Sequence, residues 1–291
     1  MTSGDPRHAT QRALAMFPVI TASTARVWNL ALGGKDNFRV DRDVLAAIHE
    51  VAPGFSALAT ANQQFVSRAA TYLARLGITQ YLDCGPGLPP GDHIHDVVQK
   101  INPAAKVLYV DNDPIVLSHA HALLATNANT HVLDSDIFAP DELLKHKDVT
   151  TFLDWSRPIA IFHTANLHHH HGDGLTALLQ TYIDAAAPGS CTVISHFLDP
   201  EEPAITARCR EIEKRLLDST LGTGWFRTLD QIHAMFPGQD LLSPGLVPCH
   251  QWPNDDNEAN SWIEACIAGG IGQKRDARTV RRPLSVNTNR G

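Results

Sequence analysis

Two hundred and ninety-one residues, 43% of them hydrophobic, 19% charged and 7% aromatic, can bury a sizeable core, which excludes a mini-protein. Twenty-four Lys and Arg against 31 Asp and Glu give a formal charge of −7, opposite in sign to a dedicated nucleic-acid binder. Full protonation of the 16 histidines would carry that charge to +9, so an electrostatic change near pH 6 is expected.

The N-terminus shows no basic segment leading into an apolar run, and nowhere do about 18 apolar residues follow one another, so neither a secretory leader nor a membrane span is expected. Helical periodicity then covers Thr24 to Leu32, Asp36 to Val51 and Ser56 to Leu76, the last with Leu58, Phe65, Ala69, Tyr72, Leu73 and Leu76 on one stripe, Ser56 as its cap and Gly77 at its end. After Gly77 short apolar runs alternate with helices. The runs are Gln80 to Cys84, Lys106 to Val110, Thr130 to Leu133, Pro158 to Phe162 and Cys191 to Phe197. Such alternation means a mainly parallel sheet covered on both faces.

Between the strands, Asp113 caps a helix over Pro114 to Leu124, Pro140 begins another, and Gly172 to Ala187 forms a third. Pro203 to Leu217 reads as a charged amphipathic helix, and Thr228 caps a short one to Phe236. Leu246 to Gln251 and Ser261 to Ala268 would close the sheet as an antiparallel hairpin, making seven strands. The tail from Gln273 to Gly291 carries +5 with almost no apolar residues, is expected to be disordered, and leaves the body at −12. The division expected is an N-terminal segment 1–20, a helical cap 21–77, an α/β domain 78–272 and the tail 273–291. Five cysteines, Cys84, Cys191, Cys209, Cys249 and Cys266, lie far apart without a CxxC pair, which fits a reducing, cytoplasmic setting.

The chemistry concentrates at strand ends. Tyr81 to Pro90 runs an apolar strand into a turn with Gly85 and Gly87, where backbone can approach a ligand. Pro90 stands where a dinucleotide fingerprint needs its third glycine, which argues against NAD or FAD, and no phosphate-loop motif exists in the chain. The next strand ends at Asp111-Asn112, where the Asp111 carboxylate suits a bidentate grip on two ribose hydroxyls. After the third strand comes Asp134-Ser135-Asp136-Ile137, where the Asp136 carboxylate can accept from an adenine amino group and the adjacent Ile137 N–H can donate to the ring. Glycine turn, second-strand acid and third-strand acid in this order resemble the adenosine site of class I methyltransferases.

A closer resemblance comes from Thr24 to Arg42, with its Gly33-Gly34-Lys35-Asp36-Asn37-Phe38 string, from Leu82 to Pro89, Tyr109 to Pro114, Leu117 to Leu124, Pro244 to Pro248 and Gly269-Gly270-Ile271-Gly272. These segments are similar to a family of actinobacterial S-adenosylmethionine-dependent methyltransferases, over roughly residues 20 to 274. The resemblance implies a Rossmann-like class I methyltransferase fold, bound S-adenosylmethionine and transfer of its methyl group to an undefined acceptor. The acidic body points to a small molecule or a protein, not nucleic acid. A catalytically silent cofactor-binding protein or sensor would carry the same cofactor residues.

Gly33-Gly34 should end one helix and leave Lys35, Asp36 and Asn37 at a corner facing the cofactor mouth. Arg26 and Asn29, three apart, share a helix face; Arg26 or Lys35 can hold the methionine carboxylate, and Phe38 can cover the sulfonium or the acceptor. A helix-hairpin with solvated polar residues is the alternative. Beyond the fourth strand, Phe162 to His171 includes four consecutive histidines, and His168 is the candidate general base. Four adjacent histidines cannot share one centre, so no metal is expected there. His93 with His95 and His119 with His121, each two apart on a helix, should face differently.

Overall fold

A computed structural model describes residues 20–88, 90–124, 127–254, 259 and 261–275 of the chain. The helices are α1 (Thr24–Ala31), α2 (Arg39–Val51), α3 (Phe55–Arg75), α4 (Ile94–Ile101), α5 (Pro114–Leu124), α6 (Pro140–Leu143), α7 (Lys147–Phe152), α8 (Leu175–Ala185), α9 (Pro203–Asp218) and α10 (Leu229–His233). The strands are β1 (Gln80–Cys84), β2 (Lys106–Asp111), β3 (Thr130–Asp134), β4 (Ala160–Thr164), β5 (Cys191–Phe197), β6 (Gln239–Leu241), β7 (Val247–Pro248) and β8 (Ile267–Lys274). They form one eight-stranded sheet in the order β3-β2-β1-β4-β5-β8-β6, with β7 also on β8.

Strands β1 to β5 pair in parallel, and β8 runs antiparallel to β5, β6 and β7. The chain builds outward from β1 through β2 and β3, then returns to lay β4 on the other side of β1. That reversal makes the carboxyl end of β1 the switch point, where open α/β sheets bind ligands. The expected mixed sheet is present, with two changes. The hairpin strands shift, because Glu264–Cys266 forms a 3-10 turn and the last strand starts only at Ile267. The three-residue β6 adds an eighth strand that is too short to leave a period in the sequence.

The two faces of β1 divide the core. Tyr81 packs with α3, α4 and the N-terminal helices, whereas Leu82 and Cys84 pack with Leu143, Val149 and Tyr182 on the other side. Helix α3 covers the sheet itself, with Leu58, Phe65, Ala69 and Leu73 wholly buried. Each buried Leu or Phe contributes about 1.5–3 kcal/mol. The segment 21–77 therefore shares one core with the sheet. The helix starts after Gly54, not at a Ser56 cap, so Ser56 lies inside its first turn.

Residues 1–19 and 276–291 lie outside the described residues, and with them most of both expected terminal segments. The strand runs two residues past the expected boundary at 272, for a physical reason: Lys274 Nζ donates to Ile183 O (2.8 Å) and Ala186 O (2.7 Å), capping the C-terminus of α8. No single helix among the described residues is long and apolar enough to cross a membrane.

Candidate functional site at the strand exits

The turn after β1 begins with Gly85 N–H donating to Val110 O at 2.8 Å, and both glycines adopt left-handed backbone, φ 77° at Gly85 and 69° at Gly87. A side chain at Gly85 would also lie 3.0 Å from the Asn166 amide. Asn166, just past β4, donates from Nδ2 to Cys84 O, while its Oδ1 is buried and has no partner among the described residues. Asp83, two residues before the turn, is 5% exposed, and its Oδ1 is likewise unpartnered. Neither residue receives a role of its own from the sequence, although Asp83 opens the Asp-x-Gly-x-Gly pattern of the turn. An acid inside an otherwise apolar strand was the available signal for Asp83; Asn166 was overshadowed by the histidines after it.

At the β2 exit, Asp111 Oδ1 accepts the N–H groups of Asn112 and Asp113, each at 2.8 Å. Burial pushes the Asp111 carboxyl up to about 7, against the pull of backbone N–H groups that include Gly87. Burial, and then the charge of Asp111, pushes Asp83 up to about 8. Ser135 N–H donates to Asp111 O at 3.1 Å and so ties the β3 exit to the β2 exit. There Asp136 Oδ1 accepts Phe138 N–H at 2.8 Å, and Ile137 O accepts the Tyr182 hydroxyl at 2.8 Å. Gly85, Gly87, Asp111, Asn112, Asp136 and Ile137 thus line consecutive exits of neighbouring strands, as their order in the sequence suggested.

The N-terminal signature is used mainly to build the cap. Arg26 is 3% exposed; its Nε donates to Asp41 Oδ2 at 2.8 Å, its Nη2 to Thr21 O at 2.5 Å, and its guanidinium lies 5.2 Å from the Phe38 ring centroid. Asn29, also buried, accepts Asp36 N–H at 3.0 Å, and Gly34 carries no side chain because a Cβ there would collide with the Asn29 amide at 2.2 Å. Arg26 and Asn29 are therefore engaged inside the cap, with the Nε and Nη2 of Arg26 held by Asp41 and Thr21. Asn37 bridges Gly34 O (3.1 Å) and Arg42 (3.0 Å), and Lys35 is exposed at the corner.

Two contacts place this cap over the strand ends. Ser23 Oγ donates to Asp113 beyond β2, and the Trp28 ring lies 6.1 Å from the His168 ring beyond β4. The glycine turn of β1 lies between those exits. Asp36 also approaches His119 Nε2 at 3.7 Å.

The four histidines diverge. His168 is wholly buried, stacks on Phe197 at 3.6 Å and presents two nitrogens without a partner among the described residues. Burial holds its pKa well below the usual range, so the ring is neutral. His169 pairs with Thr223 Oγ1 at 2.9 Å, His170 packs on Phe138 and His171 on Trp225. Contrary to the helical expectation, the rings of His93 and His95 are close, 6.0 Å apart and stacked. His93 is the extended N-cap of α4 and not one of its helical residues.

The model of the S-adenosyl methyltransferase family matches residues 13–275. The chain belongs to that family. This methyltransferase is similar to a crystal structure of a candidate methyltransferase from Thermobifida fusca YX, at 36% identity and TM-score 0.83, covering 90% of this chain and 97% of that one. It is also similar to a DUF574 family protein from Streptomyces avermitilis MA-4680, at 27% identity and TM-score 0.81, covering 88% and 98%. The magnesium protoporphyrin IX methyltransferase of Synechocystis PCC 6803 with bound S-adenosylhomocysteine shares the fold at 14% identity and TM-score 0.50, covering 85% and 93%. No curated protein matches the chain. The methyltransferase's cofactor is S-adenosylmethionine, and its donor set fits that group: two orphaned acceptors, Asp83 Oδ1 and Asn166 Oδ1, flank a glycine turn. Buried acceptors of this kind call for ligand donors such as an ammonium or hydroxyls.

Proposed function

We propose that this chain methylates a small-molecule acceptor held between the cap and the exits of β4 and β5, in a reducing, cytoplasmic compartment. The observation that carries this reading is the unbroken row of strand-exit groups, Asp136, Asp111, Gly85 and Asn166, under a cap that touches the exits on both sides of β1. Five unbridged cysteines support the compartment, and the net charge of −7 disfavours nucleic acid as acceptor.

In this reading Asp111 accepts from the ribose hydroxyls, and Asp136 with the Ile137 N–H recognises adenine. Asp83 and Asn166 receive the ammonium of the methionine moiety. Asn112 borders the ribose, while Lys35, Asn37 and Phe38 form the rim of the cap; Arg26 and Asn29 act only through the cap they hold together. When bound, S-adenosylmethionine supplies a methyl group already activated on a sulfonium. The residues therefore have to align the acceptor and exclude water, which is worth up to about 7–11 kcal/mol in favourable systems. His168 serves as a neutral wall beneath Trp28, not as the base its sequence position suggested, because its nitrogens are enclosed and its proton affinity is low.

Calorimetry with S-adenosylhomocysteine tests the cofactor half: Asp111→Ala should weaken binding at least about tenfold, the scale of a lost charge-assisted hydrogen bond. Undiminished binding by that variant would overturn the assignment. Screening acceptor pools for S-adenosylhomocysteine release tests the other half. Tight cofactor binding with no release across protein, nucleic-acid and small-molecule pools would instead indicate a binding protein.

A further inference from the structure

The register of β1 and β2 sets two acids on one face as diagonal neighbours. Asp83 pairs with Tyr109, so the two-residue alternation puts Asp83, Tyr109 and Asp111 on one face of the sheet, under α3 and α4. Asp111 is supplied with backbone donors, whereas Asp83 is buried with an oxygen that has no partner among the described residues. Two carboxylates at neighbouring strand ends cannot both ionise cheaply in such a place.

The other charged or titratable groups around them do not relieve the pair. Tyr109 Oη takes the His95 backbone N–H at 3.0 Å and lies 2.8 Å from His95 Nδ1. His93 stacks on His95, Asp96 lies 3.4 Å from His95 Nε2, and burial lowers the pKa of both histidines, leaving them neutral. Asp113 adds a further negative charge beyond Asp111, already engaged by Ser23, and the Cys84 thiol is held protonated by burial. Among the described residues, no Lys or Arg is within ion-pairing distance of Asp83 or Asp111.

We infer that Asp83 and Asp111 together hold about one proton in the free protein at pH 7.5 and release it when the cofactor enters, so that cofactor binding is proton-linked. The inference rests on the cofactor site proposed above. The incoming ammonium and ribose hydroxyls provide the donors that let both carboxylates ionise, and the proton leaves to bulk water. Asp83 thereby sets the pH range in which the site can fill.

The test is isothermal titration of the full chain with S-adenosylhomocysteine at pH 7.5 in phosphate and in Tris, whose ionisation enthalpies differ. Wild type should release about one proton and bind about tenfold more tightly at pH 8 than at pH 7. Asp83→Asn mimics the protonated acid and so should fold. It should release almost none, and its affinity should change less than about twofold over that interval. Equal binding heats for wild type in the two buffers, or wild-type proton release from Asp83→Asn, would overturn the inference while leaving the cofactor site standing. A folded wild-type protein that binds neither cofactor nor product at any pH would overturn both.

Discussion

Asn166 joins two strand exits through one carboxamide. Its Nδ2 holds the Cys84 carbonyl, which keeps the glycine turn closed against β4, and its Oδ1 is left as a buried acceptor. The residue before it, Ala165, sits at φ 54°, an unusual backbone for a residue with a Cβ. Ala165 N–H donates to Ser195 Oγ at 3.0 Å, and Ser195 in turn donates to Asn62 of α3 at 2.5 Å. The strained residue is thus fixed by a buried chain that runs back to the cap segment, which aims Asn166 at the turn. Asn166→Ala should lower S-adenosylhomocysteine affinity about five- to tenfold, the worth of a buried hydrogen bond. Calorimetry on the variant checks this, and wild-type affinity would reduce Asn166 to a pin for the turn.

At the scale of elements, the joint between α1 and α2 turns on Asp41. Its Oδ1 accepts Ser23 N–H at 3.0 Å, and its Oδ2 accepts Phe38 N–H and Arg26 Nε, both at 2.8 Å. One carboxylate therefore holds the start of each helix and the buried guanidinium between them. Asp41→Ala would strand that guanidinium, so chemical denaturation should report a loss of about 3–5 kcal/mol. Replacing the pair together, Arg26→Met with Asp41→Leu, should recover much of it. A single variant as stable as wild type would refute the hub role. This joint also shows where sequence reading stops. The sequence located α1, β1 and β5 to within a residue or two, because α1 buries one regular face and the two strands are short runs buried at every position. It began α2 at Asp36, three residues early, because the Phe38 N–H is capped by a side chain further along the chain, which no periodicity records. The positions of Asp111 and Asp136 at strand exits were legible through their order. The commitment of Arg26 and the burial of His168 depend on tertiary contacts with Asp41 and Phe197, so the same residue types suggested a ligand grip and a base.

Across the whole molecule, buried histidines and buried acids pull stability in opposite directions with pH. His163 and His196 are wholly buried and held at about 3, His169 at about 4, and His168 well below its usual value, in each case first by burial. The unfolded chain protonates these imidazoles through about 6.5 and the fold does not, so they destabilise the fold as pH falls below 6.5. Asp83 and Asp111 act the other way, because the fold keeps their protons up to about 8 and 7 while the unfolded chain loses them near 3.8. Between pH 4 and 6.5 four imidazoles outweigh two carboxyls, and unfolding takes up about two protons, a loss of about 3 kcal/mol for each pH unit of acidification. Above 6.5 only the acids remain, and stability falls as pH rises toward 8. The free protein should therefore be most stable near pH 6.5. The large charge swing suggested by 16 histidines is, for these four, an unfolding event and not a surface titration. Saturating S-adenosylhomocysteine should abolish the alkaline limb, since its donors stabilise the ionised acids, and leave the acid limb in place. Melting temperatures from pH 5 to 8.5, with and without S-adenosylhomocysteine, check this. An alkaline limb that persists in the complex would mean that the acids do not meet the ligand.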